Sequence, residues 1–534
     1  MPTHELDPSL SQATDMEVET DTWTVHADLK IPGLTILYHP IARRIGERAV
    51  LVDLSAGRSQ SLARQEPLFA QPGDALARPL GTKRLSRSPL LLSSLPDGGV
   101  RLDPAGSRTA VEVNGVPLLG PRSLSFEELD LGVVLLLGQQ VVILLHRMDP
   151  VLPTHLPSYG MVGESAGVLK LRQDIDRVAD LDVPVLLRGE TGTGKEVLAR
   201  ALHEAGPRRH QPFVAVNMAA IPPSLAAAEL FGTSKGAFTG ADRRRGGYFQ
   251  RADGGTLFLD EVGETPSEIQ ALLLRALETR EVQPVGSESP VQVDVRLVSA
   301  TDLDLERAVK HDDFRAPLLF RLAGFVMRLP SLRRRREDFG RLFRFFLSRE
   351  LQVLGEPDRL EAVDPVWIAP AVWAQLALYS WPGNIRQLAN VARQIAISNR
   401  GQAQATDLEC LQELFYGAAG RDPVSANPVP PPMPGGSPIK VARKPSDVRE
   451  EELLAALREN RFRLQATADS LGIPRGSLYD LIEKNPRIRK ASDLGATEIN
   501  AALSRHGHSI EKTAEELEVS EQALRRQMGK LGLS

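Results

Sequence analysis

A glycine-rich run set between an apolar strand and a helical segment constrains this chain more than any other feature. Pro184-Val-Leu-Leu187 has the composition of a buried strand, and Lys195 to His203 reads as a helix. Between them stand Gly189, Glu190, Thr191, Gly192, Thr193, Gly194, Lys195 and Glu196. Such glycines let backbone N–H groups turn onto phosphate oxygens at a helix N-terminus, where the dipole favours anions. Lys195 would reach the β- and γ-phosphates. About 65 residues further on, Gly254-Gly-Thr256-Leu-Phe-Leu-Asp260-Glu261 predicts a short buried strand ending in two carboxylates. Asp260 can hold a magnesium ion, directly or through water, and Glu261 can polarise a water for in-line attack on a γ-phosphate. ATP and magnesium are therefore the expected ligands. From 160 to 332 strands alternate with helices, which predicts a parallel α/β core.

The rest of the chain divides around that core. A length of 534 residues with 42% hydrophobic and 25% charged side chains predicts a soluble protein of about three to four domains. The net charge of −4 leaves any contact with nucleic acid to a local patch. The single Cys410 excludes a disulfide framework and a cysteine metal site, and fits a reducing cytoplasm. Residues 1–26 are polar and acidic, predict disorder and do not resemble a signal peptide. Residues 27–147 alternate short apolar runs (Leu34 to Tyr38, Ala49 to Val52, Leu90 to Leu92, Val111 to Val113) with turn signals such as Asn114-Gly115, as a β-sandwich would. The apolar stretch Val133 to Leu145 is too short to span a bilayer and reads as a β-hairpin, so no membrane is expected. Residues 333–416 predict a helical lid, and 417–446 a proline-rich linker. The all-α C-terminus contains a gapless repeat at an offset of 46, in which Leu457, Thr467 and Leu471 recur as Leu503, Thr513 and Leu517. Each unit, 447–490 and 493–534, has helix-turn-helix spacing.

Between the two nucleotide motifs lies Glu229-Leu-Phe-Gly232 and then Gly236, Ala237, Phe238, Thr239, Gly240 and Ala241. Together with the P-loop ending in Lys195-Glu196, where other P-loops place Ser or Thr, this run resembles the sigma-54-dependent activators, the bacterial enhancer-binding proteins of the AAA+ family. The resemblance covers about residues 160–400. It implies that the Gly236–Ala241 loop contacts sigma-54 RNA polymerase and that ATP turnover drives remodelling of closed promoter complexes. It further implies that Asn217 restrains Glu261, that Arg315 and Arg321 reach a neighbouring subunit's site, and that Arg386 is the lid's sensor. The active site would then lie between subunits of a ring, a hexamer. Asp302, in Ser299-Ala-Thr301-Asp302, stands where the family usually has Asn, which predicts slower hydrolysis.

The ends resemble known modules as well. The tandem repeat resembles a Fis-type helix-turn-helix, which implies binding to double-stranded DNA upstream of the promoter. Its candidate contacts are Arg475, Ser477 and Tyr479 in one copy and Gln522, Arg525, Arg526 and Lys530 in the other. From Ser446 onward there are 14 basic and 15 acidic residues, so the non-specific electrostatic term is modest. The β domain resembles a forkhead-associated domain, which implies a phosphothreonine protein or kinase as partner, with Ser86, Arg87, Asn114 and either Arg64 or Arg58 as contacts. The histidine usual after Ser-Arg is replaced by Ser88-Pro89. Two other functions remain open. One is a DNA-binding regulator independent of sigma-54 that uses ATP only as an oligomerisation switch, favoured by Asp302 and opposed by Phe238-Thr239. The other is an ATP-dependent chaperone, opposed by the C-terminal tail.

Overall fold

Ten short strands fold residues 31–148 into two antiparallel sheets in a computed structural model of the chain. The structure describes residues 30–74, 76–150, 156–234, 245–361, 366–416, 450–460, 494–506 and 510–517, with 467, 471, 519, 524, 527 and 528. The chain separates into two units, residues 1–428 and 429–534.

The strands are β1 (Ile31–Tyr38), β2 (Arg48–Val50), β3 (Gln60–Leu62), β4 (Leu90–Ser94), β5 (Val100–Asp103), β6 (Val111–Val113), β7 (Val116–Pro117), β8 (Arg122–Leu124), β9 (Val133–Leu137) and β10 (Val141–Met148). One sheet has the order β2-β1-β10-β9-β6-β7 and the other β3-β4-β5-β8. The predicted hairpin is β9–β10, with Val141 opposite Leu137. The run read as a strand to Val52 ends earlier: β2 stops at Val50, and Val52–Ser55 is a short helix.

Alternation along the central strands explains their unbroken apolar character. Leu34 and Ile36 of β1, Val133, Leu135 and Leu137 of β9, and Val141, Ile143 and Leu145 of β10 enter the core shared by the two sheets. Their alternating neighbours Val134, Leu136, Val142 and Leu144, with Leu37 and Tyr38, enter a second core. A strand with period-two side chains can be apolar throughout only when both faces are covered. Here the second cover is the helical lid. Its helices Phe339–Val353, Pro370–Leu378 and Asn384–Ser398 supply Phe339, Phe343, Trp373, Leu376, Leu388 and Ile395 to that second core. Tyr38 meets Trp373 with ring centroids 5.0 Å apart.

Between the β domain and the lid in sequence lies a five-stranded parallel sheet. Its strands are β11 (Val185–Arg188), β12 (Phe213–Asn217), β13 (Thr256–Asp260), β16 (Arg296–Thr301) and β17 (Phe325–Arg328), after the small hairpin β14 (Glu281–Val282) and β15 (Val291–Gln292). The order β12-β13-β16-β11-β17 puts the C-terminal ends of β11, β13 and β16 side by side. That edge is where open parallel sheets place ligands. Asp338, at the start of the lid, ties the lid to this core. Its carboxylate accepts the N–H groups of Glu164 and Ser165 at 2.6 and 3.0 Å, and the Ser165 hydroxyl at 2.5 Å.

In the second unit, the helices Glu450–Glu459, Ala496–Arg505 and Ile510–Glu516 carry the repeat. Burial follows its offset. Leu453 and Ile499, Leu457 and Leu503, Thr467 and Thr513, and Leu471 and Leu517 are all buried. The candidate DNA contacts Arg475, Ser477, Tyr479, Gln522, Arg525, Arg526 and Lys530 lie outside the described residues. So do the acidic tail, residues 1–26, and the whole of the linker, 417–446.

Candidate functional site

The turn after β11 is shaped by its glycines. Gly192 and Gly194 have φ of +79° and +103°, in the region that favours glycine. A Cβ on Gly192 would lie 2.4 Å from the Gly383 carbonyl oxygen, so no larger residue fits there. Gly194 caps the helix Lys195–Ala205, whose first N–H groups have no partner inside the helix and face the turn. Lys195 is buried. Its ammonium donates to the Gly189 carbonyl at 3.0 Å and lies 3.5 Å from the Glu261 carboxylate. The Thr193 hydroxyl donates to the Glu190 carbonyl at 2.7 Å.

β13 and β16 deliver the acids. Asp260 ends β13, and its carboxylate accepts the Glu261 N–H at 3.1 Å. Glu261 has φ +52°, a conformation costly for a non-glycine residue and found where a site dictates it. Burial raises the Glu261 carboxyl above its ordinary value; Lys195 opposes that rise, and Asp302 and Asp260 add to it. Asp302 follows β16 and accepts the Thr191 hydroxyl at 2.5 Å. It therefore stands on the phosphate loop and within electrostatic reach of Glu261. Glu196, where other P-loops offer a hydroxyl, is exposed and 3.6 Å from Arg200. For magnesium the donors fit sparsely: Asp260 would supply one hard oxygen, and such an ion characteristically retains water at its remaining positions.

Asn217 ends β12 directly opposite Asp260 in register, while Glu261 is held by Lys195. Arg315 is exposed, and its backbone N–H donates to Gln270 at 2.8 Å. Arg321 is exposed too, with its guanidinium on the Leu277 carbonyl at 2.7 Å. Arg386 is exposed on the first turn of the lid helix Asn384–Ser398, and its N–H reaches the Gly192 carbonyl at 3.3 Å.

Two residues that sequence reasoning passed over complete the contact between lid and loop. Arg333 holds the Glu190 carboxylate with both terminal nitrogens, one at 2.7 Å, and this pairing lowers the Glu190 carboxyl below its usual range. Asn384, fully buried, donates to Glu190 at 3.1 Å and to the Thr191 carbonyl at 3.0 Å. The run Trp381-Pro-Gly-Asn384-Ile-Arg386 was legible; a polar residue inside a tight turn two positions before Arg386 was the available signal.

The loop Gly236, Ala237, Phe238, Thr239, Gly240 and Ala241 lies outside the described residues, but its neck does not. Thr233 and Arg245 exchange backbone hydrogen bonds at 2.9 and 3.0 Å, and Ser234 donates to the Val285 carbonyl at 3.0 Å. Arg245 pairs with Glu229 at 2.9 Å.

In the β domain the structure brings Arg64 and Ser86 together. The Arg64 N–H donates to the Ser86 carbonyl at 3.1 Å, its guanidinium holds the Leu85 carbonyl at 3.0 Å, and Ser86 N–H reaches the Thr109 hydroxyl at 2.8 Å. Arg87 is exposed beside them, and Arg58 is apart, paired with Asp53 at 2.6 Å. Asn114 does not join this group. Its carboxamide accepts the Val134 N–H at 2.8 Å, at the start of β9, whereas Leu85 borders Gly138 just past the other end of that strand. Four residues of strand separate the two, about 13 Å.

Among the described residues no helix is long and apolar enough to cross a membrane, and no cluster of three or more metal-ligating side chains occurs.

The sigma-54 interaction domain family matches residues 161–328, and the AAA+ ATPase lid domain matches 333–423. The transcriptional regulatory protein ZraR of Klebsiella oxytoca is 41% identical over 330 residues, 62% of this chain and 70% of its own length. The anaerobic nitric oxide reductase transcription regulator NorR of Aeromonas hydrophila is 36% identical over 388 residues, 70% of this chain and 74% of its own. The DNA-binding transcriptional regulator NtrC of Salmonella typhimurium is 45% identical over 246 residues, 46% of this chain and about half (51%) of its own length. Among solved structures, NtrX from Brucella abortus in complex with ADP is 29% identical, covers 70% of each chain and superposes with a TM-score of 0.43. The matched domains hold the phosphate loop, the Asp260-Glu261 pair and the loop neck just described, and the chain belongs to the sigma-54-dependent transcriptional activators, with their central AAA+ ATPase domain, a helical lid and an N-terminal β-rich region.

Proposed function

We propose that the chain is an ATP-hydrolysing activator that binds DNA upstream of a promoter and remodels the closed complex of sigma-54 RNA polymerase, under control of its β domain. The observation that carries this reading is the meeting of Lys195, Asp260, Glu261 and Asn217 at one sheet edge, with the loop neck lying in sequence between Asn217 and Asp260. The backbone of Gly192 to Lys195 and the Lys195 ammonium receive the triphosphate. Asp260 would hold a magnesium ion, which would supply charge to offset that of the phosphates. Glu261, its carboxyl raised by burial, takes a proton from the attacking water. Asn217 ends β12, and the helix Pro223–Phe231 leads from there to the neck at Gly232–Ser234. A shift at the γ-phosphate position would pass from Asn217 along this helix to the neck that carries the loop of Phe238 and Thr239. The exposed Arg315 fits a finger offered to the next subunit of a hexamer, where a guanidinium stabilises charge on the transferring phosphoryl group.

The equal burial of both repeat copies supports a tandem helix-turn-helix that recognises double-stranded DNA. The β domain's place on the lid supports control of the ATPase by that domain. Arg64, Ser86 and Arg87 support recognition of a phosphothreonine protein at the end of β9 that is away from Asn114. Replacement Glu261→Gln tests the catalytic core: it retains nucleotide binding and abolishes turnover. Turnover surviving that substitution would remove Glu261 from the mechanism.

A further inference from the structure

The lid is bonded into the phosphate loop rather than merely lying over it. Asn384 is fully buried and adopts φ +50°, a left-handed conformation in which asparagine is enriched. Its amide donates to Glu190 Oε2 at 3.1 Å and to the Thr191 carbonyl at 3.0 Å, and its oxygen accepts the Leu332 N–H at 2.8 Å. The next two residues, Ile385 and Arg386, direct their N–H groups to the Gly192 carbonyl at 3.0 and 3.3 Å. These are helix-terminal donors with no partner in their own helix. Arg333 closes the arrangement from the other side by gripping Glu190 with two nitrogens. Two consecutive carbonyls of the phosphate loop, Thr191 and Gly192, are therefore turned toward the lid. Because a trans peptide points its N–H opposite to its C=O, the Gly192 N–H is turned away from the lid.

We propose that Asn384 is a positioning residue which, with the Glu190–Arg333 pair, latches the lid to the phosphate loop and sets the loop shape that receives the nucleotide. This rests on the reading of the loop as the ATP site. The latch makes nucleotide affinity depend on where the lid stands. Glu190 thus faces the lid, its carboxylate taken up by Arg333 and Asn384, and acts on the ligand through the loop whose Thr191 carbonyl Asn384 also holds. Any force on the lid, including one from the β domain packed on its far side, is felt at Thr191 and Gly192.

The test uses the full chain, with a fluorescent ADP analogue for affinity and steady-state ATP hydrolysis for KM and kcat. Asn384→Asp sets a second carboxylate against Glu190 and against the Thr191 carbonyl. It weakens ADP binding by about tenfold or more, the scale of losing a charge-assisted hydrogen bond, and raises KM more than it lowers kcat. Adding Glu190→Gln supplies a donor opposite the new carboxylate and recovers part of the affinity. Native affinity in Asn384→Asp, or no recovery in the double variant, overturns the proposal. If Asn384→Asp fails to fold by thermal melting, Glu190→Gln alone decides: KM rises with kcat held, and an unchanged KM overturns the latch. Native protein that binds no ADP would instead refute the ATP site itself.

Discussion

Trp373 is the side chain whose removal most directly reports whether the β domain and the lid are one folded body. Its indole is 2% exposed and meets Phe343 edge-on at 4.7 Å, Phe339 at 6.3 Å and Tyr38 of β1 at 5.0 Å. Truncating a buried tryptophan to alanine costs about 3–5 kcal/mol, a figure that already contains the aromatic pairs. The indole nitrogen, however, is buried without a hydrogen-bond partner. Deleting such a donor relieves about 1–3 kcal/mol. The packing loss wins, and Trp373→Ala should destabilise by about 2 kcal/mol, the difference of the mid-range values of these two effects. The cavity opens onto both layers, so the loss is shared. Hydrogen exchange of the intact chain reads it: amides of β1, β9 and β10 and those of the lid helices Phe339–Val353 and Pro370–Leu378 should lose protection together, by about 30-fold. The control is Leu62→Ala, on the opposite sheet of the sandwich, which should loosen the β domain first. If Trp373→Ala loosens the lid and leaves β10 protected as before, the two layers merely touch and the shared-core argument is wrong.

Two further outcomes follow from the site. Glu261 must be ionised to accept a proton, and its raised carboxyl places the acid limb of the hydrolysis rate above the ordinary glutamate range of about 4.3; Asp302→Asn removes one of the charges that raise it, so the limb moves to lower pH and turnover at neutral pH increases, whereas an unmoved limb would show that Asp302 does not act on Glu261. Gly192→Ala would put a Cβ 2.4 Å from the Gly383 carbonyl at a φ of +79°, forcing lid and loop apart, and titration with the fluorescent ADP analogue should find binding lost while the melting of the β domain is retained.

Much of the site was legible because it is local. The phosphate loop needs glycines between a strand and a helix, and Asp260-Glu261 needs only the end of a strand, so both follow from short windows. The repeat was legible for the same reason, and its register agrees with burial at Leu457 and Leu503. What stayed hidden depends on distant pairings. Asn384 meets Glu190 across 194 positions of sequence, and nothing near Glu190 distinguishes a carboxylate that faces a ligand from one that faces a lid. Asn114-Gly115 was correctly a turn, but turn chemistry does not say at which end of a sheet the turn lies, and that separates Asn114 from Arg64 and Ser86. The unbroken apolar runs of β9 and β10 did contain their answer. A hairpin in a two-layer sandwich should alternate with polar residues, and these do not, because alternate residues serve the lid.

The central claim is that ATP turnover at this site drives opening of a sigma-54 promoter complex. It is tested most directly by ATP-dependent open-complex formation with purified native protein and sigma-54 RNA polymerase, set beside Thr239→Ala. The account predicts that the native chain opens the promoter and that Thr239→Ala hydrolyses ATP without opening it. Hydrolysis by the native chain with no opening, even after removal of residues 1–150, would contradict it and favour a regulator that works without sigma-54.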